Sequence, residues 1–159
     1  MKKKTKKKIL ISIGSIFIIG ISIVLYLLFA PHRDTQASPI DFRMTVTELV
    51  NESLENSKAT NDKYLSEDGD SKIIAISGSV ASVEMDFVNN QVVRLKEEGD
   101  DAGVKCTFMK NTNKNAVALS VGDKITIKGV YRMAASYDED FEEYEDVIVE
   151  ECDILRENS

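Results

Sequence analysis

The sequence predicts a mainly β protein, with a small closed barrel preceded by one α-helix and by an N-terminal transmembrane helix. The stretch Ile73–Met85 carries apolar residues first on even and then on odd positions, with Gly78 between the two patterns. Because a strand places alternate side chains on opposite faces, this change indicates a long strand that bends. A small closed barrel requires one such strand, since it must pair with both halves of the sheet.

The N-terminal part predicts a membrane anchor. Residues 9–30 form an uncharged run of 22 residues, preceded by six lysines within residues 1–8 and followed closely by a His-Arg pair. A helix of that length crosses the hydrocarbon core of a bilayer. By the positive-inside rule, we expect a single-pass protein of the cell membrane with a cytoplasmic N-terminus and an extracytoplasmic C-terminal domain. A cleaved signal peptide is the alternative, but its apolar region is usually shorter, and residues 35–37 make a poor cleavage site.

The net charge of −7 conceals a strongly acidic C-terminal part. After residue 33 the chain has 13 basic and 27 acidic residues, and residues 134–159 alone have one basic and 11 acidic residues. An acidic surface repels phosphate backbones, which disfavours nucleic acid as a partner. The length suits one domain. The chain is therefore divided into a cytoplasmic lysine-rich tail, a transmembrane helix, a spacer, and a helix-plus-barrel domain, at residues 1–8, 9–30, 31–44 and 45–159.

A helix is predicted to begin at Thr45 and to lead to Tyr64. The residues Thr45-Val46-Thr47-Glu48 fit a capping box, and apolar residues three and four positions apart follow on one face. A helix of this kind usually packs across one end of a small domain.

After the bent strand, the pattern predicts four further strands. They cover residues 91–96, 104–109, 124–133 and 146–155. In the last of them the apolar residues switch from odd to even positions, a change of the kind seen in the bent strand. Residues 111–120 are predicted to form a short helix or a loop, and residues 134–145 a long loop. The order of a helix, three strands, a connecting segment and two strands matches the OB-fold, a five-stranded, partly open barrel.

Several motifs within this pattern resemble those of a known family. Tyr64 closes the predicted helix, and the strand motifs are ISGSV at residues 76–80, VKCTF at 104–108, VGDKITIKG at 121–129, and DVI with CDI within 146–154. With them, residues 44–155 resemble the bacterial tRNA_anti-like OB-fold family. The resemblance implies an OB-fold domain, often membrane-anchored, with a distant likeness to anticodon-binding domains. Fold likeness does not carry function, so the ligand is left open.

One candidate contact surface is the outer face of the second and third strands. Arg94, Lys96, Lys105 and Thr107 are predicted to share this face, on which OB modules commonly hold oligonucleotides. Stacking aromatic residues are absent from these outward positions, and an exposed sheet face ordinarily carries basic residues. The residues are therefore candidates for ligand binding, with a plain solvated face as the preferred alternative.

The second candidate surface is the acidic loop before the last strand. Residues 138–146 carry seven carboxylates, accompanied by Tyr137, Phe141 and Tyr144. The equivalent loop commonly shapes OB ligand sites. Carboxylates can bind Ca²⁺, but this run lacks the alternation and central glycine of a calcium loop, so no metal is predicted.

Cys106 and Cys152 are the two cysteines of the chain. Both are predicted to point inward on neighbouring strands. A disulfide between them is one interpretation, since the domain is expected outside the cytoplasm. Two buried, reduced thiols are the preferred one, because the pattern does not establish that the pair lies within disulfide reach.

No pattern of catalytic residues is present. The single histidine, His32, precedes the predicted domain and cannot activate a cysteine within it. No phosphate-cradling loop, Cys/His metal motif or nucleophile motif occurs, and no cofactor is expected. We therefore expect a non-catalytic, membrane-anchored binding or interaction module of the bacterial envelope, with an envelope protein or a small ligand as partner. A nucleic-acid-binding OB protein, for tRNA or single strands, is the alternative, and a purely structural subunit of an envelope complex is a third interpretation.

Overall fold

The computed structural model of the chain describes residues 16–26, 28, 33–67 and 70–156, and it divides into two units between residues 33 and 34. In the first unit, residues 16–26 and residue 28 are helical. Among the described residues, no helix is long and apolar enough to span a membrane. The predicted tail 1–8 and part of the predicted transmembrane segment 9–30 lie outside the described residues.

The second unit combines short helices with an extensive β-structure. Its described elements in chain order are β1 (Phe42–Thr45), α1 (Val46–Glu55), α2 (Ser57–Tyr64), β2 (Ile73–Met85), β3 (Gln91–Leu95), β4 (Val104–Phe108), α3 (Asn113–Val117), β5 (Lys124–Met133), β6 (Ser136–Asp138), β7 (Glu143–Glu145) and β8 (Val147–Ile154).

A closed barrel is formed by β2, β3, β4, β8 and β5 in this spatial order, because β2 also pairs with β5. Closure depends on β2, whose two halves have different partners. Residues 73–79 pair with β5 and residues 80–85 pair with β3, and a β-bulge lies between Val80 and Ser82. The prediction of a bent first strand shared by both halves of an OB-fold barrel is confirmed.

Gly78 lies where helix α1 packs against β2. A Cβ atom at this position would lie only 2.4 Å from Val46 Cγ2, so a glycine permits the close approach of helix and strand. Val46, Leu49 and Val50 of α1 are fully buried and join the barrel core. The other large residues of this core are Tyr64, Ile74, Ile76, Val80, Val93, Leu95, Val104, Phe108, Ile127, Tyr131, Val147 and Val149.

The capping box at Thr45 is confirmed. Thr45 Oγ1 accepts a hydrogen bond from the Glu48 N–H at 3.2 Å, and Glu48 Oε2 accepts one from the Thr45 N–H at 2.7 Å. The predicted single helix is wrong, however, because the chain breaks at Asn56 into α1 and α2. Asn56 ends α1 through its N–H to Glu52 O at 3.3 Å, and its Oδ1 caps α2 by accepting from the Ala59 N–H at 3.0 Å.

The stretch predicted as a spacer, residues 31–44, contains most of β1. This strand pairs parallel to β2, with Phe42 opposite Ile74 and Thr45 opposite Ser77. The Phe42 ring meets the Tyr64 ring edge to face at 5.1 Å. A strand of four residues is too short for its alternation to be recognised in the sequence.

Lys128 fixes residues that precede β1 onto the barrel. Lys128 of β5 is buried, and its Nζ donates to Gln36 O at 2.9 Å and to Ser38 O at 2.5 Å. Burial lowers the pKa of this lysine. The Gln36 side chain also donates to Glu151 O at 2.7 Å, so the part of the spacer nearest the barrel is ordered by contacts with β5 and β8.

Gly129 provides a test of the barrel packing. A Cβ atom there would lie 2.7 Å from Cys152 Sγ and 2.8 Å from Glu150 O. Because the backbone carbonyl cannot move aside without breaking the β5–β8 pairing, we expect Gly129→Ala to lower the free energy of unfolding by about 2–3 kcal/mol. Urea unfolding followed by circular dichroism measures this loss. Gly20→Ala is the matched control, since nothing lies within 4 Å of its new methyl group; equal midpoints for the two variants would contradict the packing described here.

Candidate binding groove

The outer face of the barrel carries a row of side chains that crosses five strands. Register places Ser82 opposite Arg94, Arg94 opposite Lys105, Lys105 opposite Ile148, and Ile148 opposite Met133. A second row joins Glu84, Val92 and Thr107. Since alternate residues of a strand share one face, both rows lie on the same surface of the sheet.

Asp146 neutralises one of the two positive charges of this face, that of Arg94. It lies directly before β8 with only 4% of its side chain exposed, and it accepts two hydrogen bonds from the Arg94 guanidinium, at 2.7 and 2.8 Å. It also accepts from the Gly103 N–H at 2.7 Å, and Lys105 Nζ lies 3.7 Å away. Burial alone would raise the pKa of Asp146, but the hydrogen bonds from Arg94 and Gly103 outweigh it and lower the pKa below its usual value.

The predicted long loop between β5 and β8 folds into a hairpin, β6–β7, that stands beside this face. Tyr137 and Tyr144 are directly opposite each other in the hairpin, with ring centroids 4.9 Å apart and planes tilted by 59°. Ser136 Oγ donates to Glu145 Oε2 at 2.8 Å. These contacts hold the Tyr144 ring and its neighbouring carboxylates in place.

A groove of about 460 Å³ lies between the sheet face and the hairpin. Met133 and Ile148 supply apolar surface, and Tyr144 contributes a half-exposed aromatic ring. Four carboxylates and two basic side chains also line it, which leaves an excess of two negative charges. They are Glu84, Glu143, Glu145 and Asp146, with Arg94 and Lys105.

The structure joins two surfaces that the sequence predicted separately. Of the predicted strand-face residues, Arg94 and Lys105 line the groove, while Thr107 lies in the neighbouring row. Lys96 follows β3 and donates to Asp101 O at 3.4 Å. 

Of the predicted loop residues, Tyr144 lines the groove and Tyr137 supports it from the other strand of the hairpin. Phe141 is exposed in the turn between them. Sequence analysis missed Glu84, Met133 and Ile148 as groove residues. Ile148 lies between buried residues of its strand and Glu84 follows a partly buried one, but the register shifts in the β2–β3 and β5–β8 pairings decide which positions face outward.

The turn between β2 and β3 displays an apolar side chain near the groove residue Glu84. Phe87 is fully exposed at this turn. The turn is held by Asp86, whose carboxylate accepts from the Val88 N–H at 2.9 Å and from the Asn90 N–H at 2.8 Å.

A second cavity, of about 650 Å³, lies where β2 and β5 pair below helix α1. Several of its polar side chains form hydrogen bonds within the protein. Ser77 Oγ and Thr126 Oγ1 are 2.8 Å apart, and Glu97 accepts from the N–H and the hydroxyl of Ser79 at 2.8 and 3.1 Å.

Cys106 and Cys152 are both free and fully buried. Burial raises the pKa of the Cys152 thiol well above its usual range, and the neighbouring Cys106 side chain raises it further. A buried thiol of this kind is unsuited to act as a nucleophile. Among the described residues, no group of three or more His, Cys, Asp or Glu side chains is arranged to hold a metal ion.

Comparison with known proteins identifies the sequence family and the fold. A sequence model of the tRNA_anti-like family matches residues 1–139. No curated protein matches the sequence. A lipoprotein of Klebsiella pneumoniae subsp. pneumoniae, described as a candidate nucleic acid-binding protein, has a similar structure with a TM-score of 0.55 and 14% sequence identity, over 79% of this chain and 99% of that one.

Two other solved structures share a smaller part of the fold. The S. pombe Stn1–Ten1 complex matches with a TM-score of 0.36 and 17% identity, over 54% of this chain and 59% of that one. An OBody bound to hen egg-white lysozyme matches with a TM-score of 0.37 and 22% identity, over 55% of this chain and 99% of that one. At these identities the similarities concern the fold alone.

The ion pair of Asp146 gives a pH-dependent prediction. A carboxylate whose pKa is lower in the folded than in the unfolded protein adds to the free energy of unfolding. This contribution is complete above the unfolded pKa of roughly 3.9, and it is lost as the pH falls through the pKa of the folded protein. We therefore expect Asp146→Asn to lower the free energy of unfolding by about 2–4 kcal/mol at pH 7, and the difference from wild type to shrink below about pH 4.

Urea unfolding at several pH values measures this difference. Asp62→Asn is the matched control, because its pair with Lys58, at 2.6 Å, is largely exposed and contributes less than about 0.5 kcal/mol. A difference between wild type and Asp146→Asn that does not depend on pH would show that the carboxylate charge is not the stabilising feature.

Proposed function

The chain belongs to the tRNA_anti-like family, and from this premise we propose that it is a non-catalytic binding module, anchored in the bacterial cell membrane with its OB-fold domain outside the cytoplasm. The groove between the sheet face and the β6–β7 hairpin is its binding site. The single observation that carries this proposal is the arrangement of Met133, Ile148 and Tyr144 in one groove of about 460 Å³. Charged side chains surround these three residues, and a concave site with a small apolar centre and a charged rim is suited to a polar partner surface.

The charge of the groove supports a protein partner over a nucleic acid. Asp146 holds Arg94 in a two-point ion pair and lies 3.7 Å from the half-exposed Lys105, so one of the two positive charges is already matched by a protein carboxylate. A phosphate would have to compete with that carboxylate, and it would also approach Glu84 and Glu143. Repulsion between like charges opposes such binding.

The proposed location follows from the sequence. The uncharged run 9–30 suits a membrane-spanning helix, and the lysines of residues 1–8 favour a cytoplasmic N-terminus. The Klebsiella lipoprotein of similar fold is, by its name, lipid-anchored, which is consistent with an envelope role for such a domain.

Digestion of protoplasts tests the location. With a tag at the C-terminus, we expect externally added trypsin to remove the tagged domain, because exposed lysines such as Lys58 lie on its surface. A cytoplasmic protein followed in the same sample must stay intact as the control. If the tagged domain is protected until the membrane is opened, the domain lies in the cytoplasm and this part of the proposal is overturned.

A nucleic-acid-binding function is the second candidate, since Arg94 and Lys105 are directly opposite each other on the face that OB modules use for single strands. The name of the Klebsiella lipoprotein points the same way. Its similarity supports only the fold, and in this chain Asp146 already pairs with Arg94, which leaves Lys105 as the basic residue of this pair with a half-exposed side chain.

Binding of a fluorescent oligo(dT) to the full-length protein, measured by anisotropy over a range of salt concentrations, separates the two candidates. The N-terminal lysines attract the oligonucleotide in every variant, so wild type is compared with a Lys96→Ala/Lys105→Ala variant. We expect the two curves to coincide. If these lysines contact phosphates, the variant will bind more weakly, and the slope of log K against log salt will fall by about 0.7 for each lost contact.

A further inference from the structure

We propose that the groove binds an extended, cationic segment of a partner protein, in which basic side chains flank an apolar or aromatic residue. This inference rests on the proposed binding function and adds the chemistry of the partner.

The apolar surface of the groove indicates that the central residue of the partner segment is apolar or aromatic. Met133 is nearly half exposed, and Ile148, its neighbour in the register, is partly exposed. They are adjacent on β5 and β8, at the end of the five-strand row. A partner residue placed over both would bury apolar area that now faces water.

The carboxylates of the groove walls indicate the charge of the partner residues on either side of the apolar one. Glu143 and Glu145 lie on the hairpin side, and Glu84 lies on the far side of the sheet face. The separation of these carboxylates across the groove suits a segment with a basic residue on either side of an apolar one. Charge complementarity of this kind favours encounter with a cationic partner and excludes an anionic one.

Tyr144 adds a specific contact for a cation. Its ring packs against Tyr137 at 4.9 Å, which fixes its orientation, and 42% of the residue is exposed. The face of a tyrosine ring attracts the ammonium of lysine or the guanidinium of arginine. A basic side chain of the partner can therefore contact this ring in a groove that Glu143 and Glu145 also line.

The positive charge of Lys105 opposes the binding of a cationic segment. Substitution of this residue therefore distinguishes a cationic partner from a nucleic acid. Its Nζ lies 3.7 Å from Asp146 Oδ2, so it is drawn toward the buried carboxylate, yet its charge still repels another cation. Removal of this charge should strengthen the binding of a cationic peptide. Removal of the same charge should weaken the binding of a nucleic acid, so the sign of the effect identifies the class of partner.

The test uses the full-length protein in nanodiscs of uncharged lipid and a short fluorescent peptide that alternates Lys with Tyr and Val. Counterparts with Glu or Ser in place of every Lys are measured in parallel by anisotropy. We expect the Lys peptide to bind most tightly, Glu143→Gln/Glu145→Gln to weaken it about fivefold, and Lys105→Gln to strengthen it about twofold. The matched control is Glu139→Gln/Asp140→Asn, which makes the same charge change on the same hairpin, outside the groove lining.

Methyl NMR locates the peptide. The Met133 methyl signal is expected to shift on addition of the Lys peptide, while that of Met44 on β1 is expected to stay unchanged. If a Ser or Glu peptide shifts Met133 as strongly as the Lys peptide, the groove is a binding site but the cationic partner is wrong. If no peptide shifts Met133 and the control variant weakens anisotropy as much as the groove variant, both the cationic partner and the use of this groove are overturned.

Discussion

The architecture depends on β2 serving both halves of the barrel. Its first half pairs with β5 and its second half with β3, and the bulge between Val80 and Ser82 separates them. Because side chains alternate along a strand, this bulge reverses which parity faces the core. Without the bulge, Ser82 and Glu84 would point into the core. The row formed by Ser82, Arg94 and Lys105 would then no longer begin on β2. The groove is thus a consequence of the same irregularity that closes the barrel.

Asp146 links the stability of the domain to the character of its surface. One carboxylate satisfies Arg94 on β3 and the Gly103 N–H at the start of β4, while Val147, next in the chain, donates from its N–H to Gly103 O at 3.0 Å. These bonds hold the β3–β4 loop and the start of β8 together. Breaking a buried pair leaves an uncompensated charge, so such a contact is costly to lose. The same pair removes from the sheet face the positive charge that a phosphate ligand would need.

The sequence predicted the barrel well because its evidence was local. The parity change around Gly78, the alternation of residues 104–109 and the capping box at Thr45 each depend on residues that are close in the chain. The sequence did not predict β1 or the β6–β7 hairpin, because strands of three or four residues show too little alternation. The helix break at Asn56 was missed because a single asparagine within a helical pattern also fits a continuous helix.

The groove could be predicted only in fragments, because its residues meet through contacts distant in sequence. Arg94 and Asp146, which both line the groove, are 52 residues apart. Sequence analysis placed Arg94 on a basic face and Asp146 in an acidic loop, and it treated the two as separate surfaces. The contact between them changes the interpretation of both surfaces, because the charge of Arg94 is matched within the protein and Asp146 has a structural role.

An OB-fold does not by itself decide between nucleic acid and protein, since the same sheet face and loops serve many ligands. In this chain the preference between the two ligand classes depends on which charged side chains of the groove are not already paired with another residue of the protein. The guanidinium of Arg94 is matched by Asp146, whereas Glu84 and Glu143 face the groove from opposite sides. The ligand class therefore depends on the β6–β7 hairpin and on one buried aspartate rather than on the barrel, and these are the residues whose substitution should change what the domain binds.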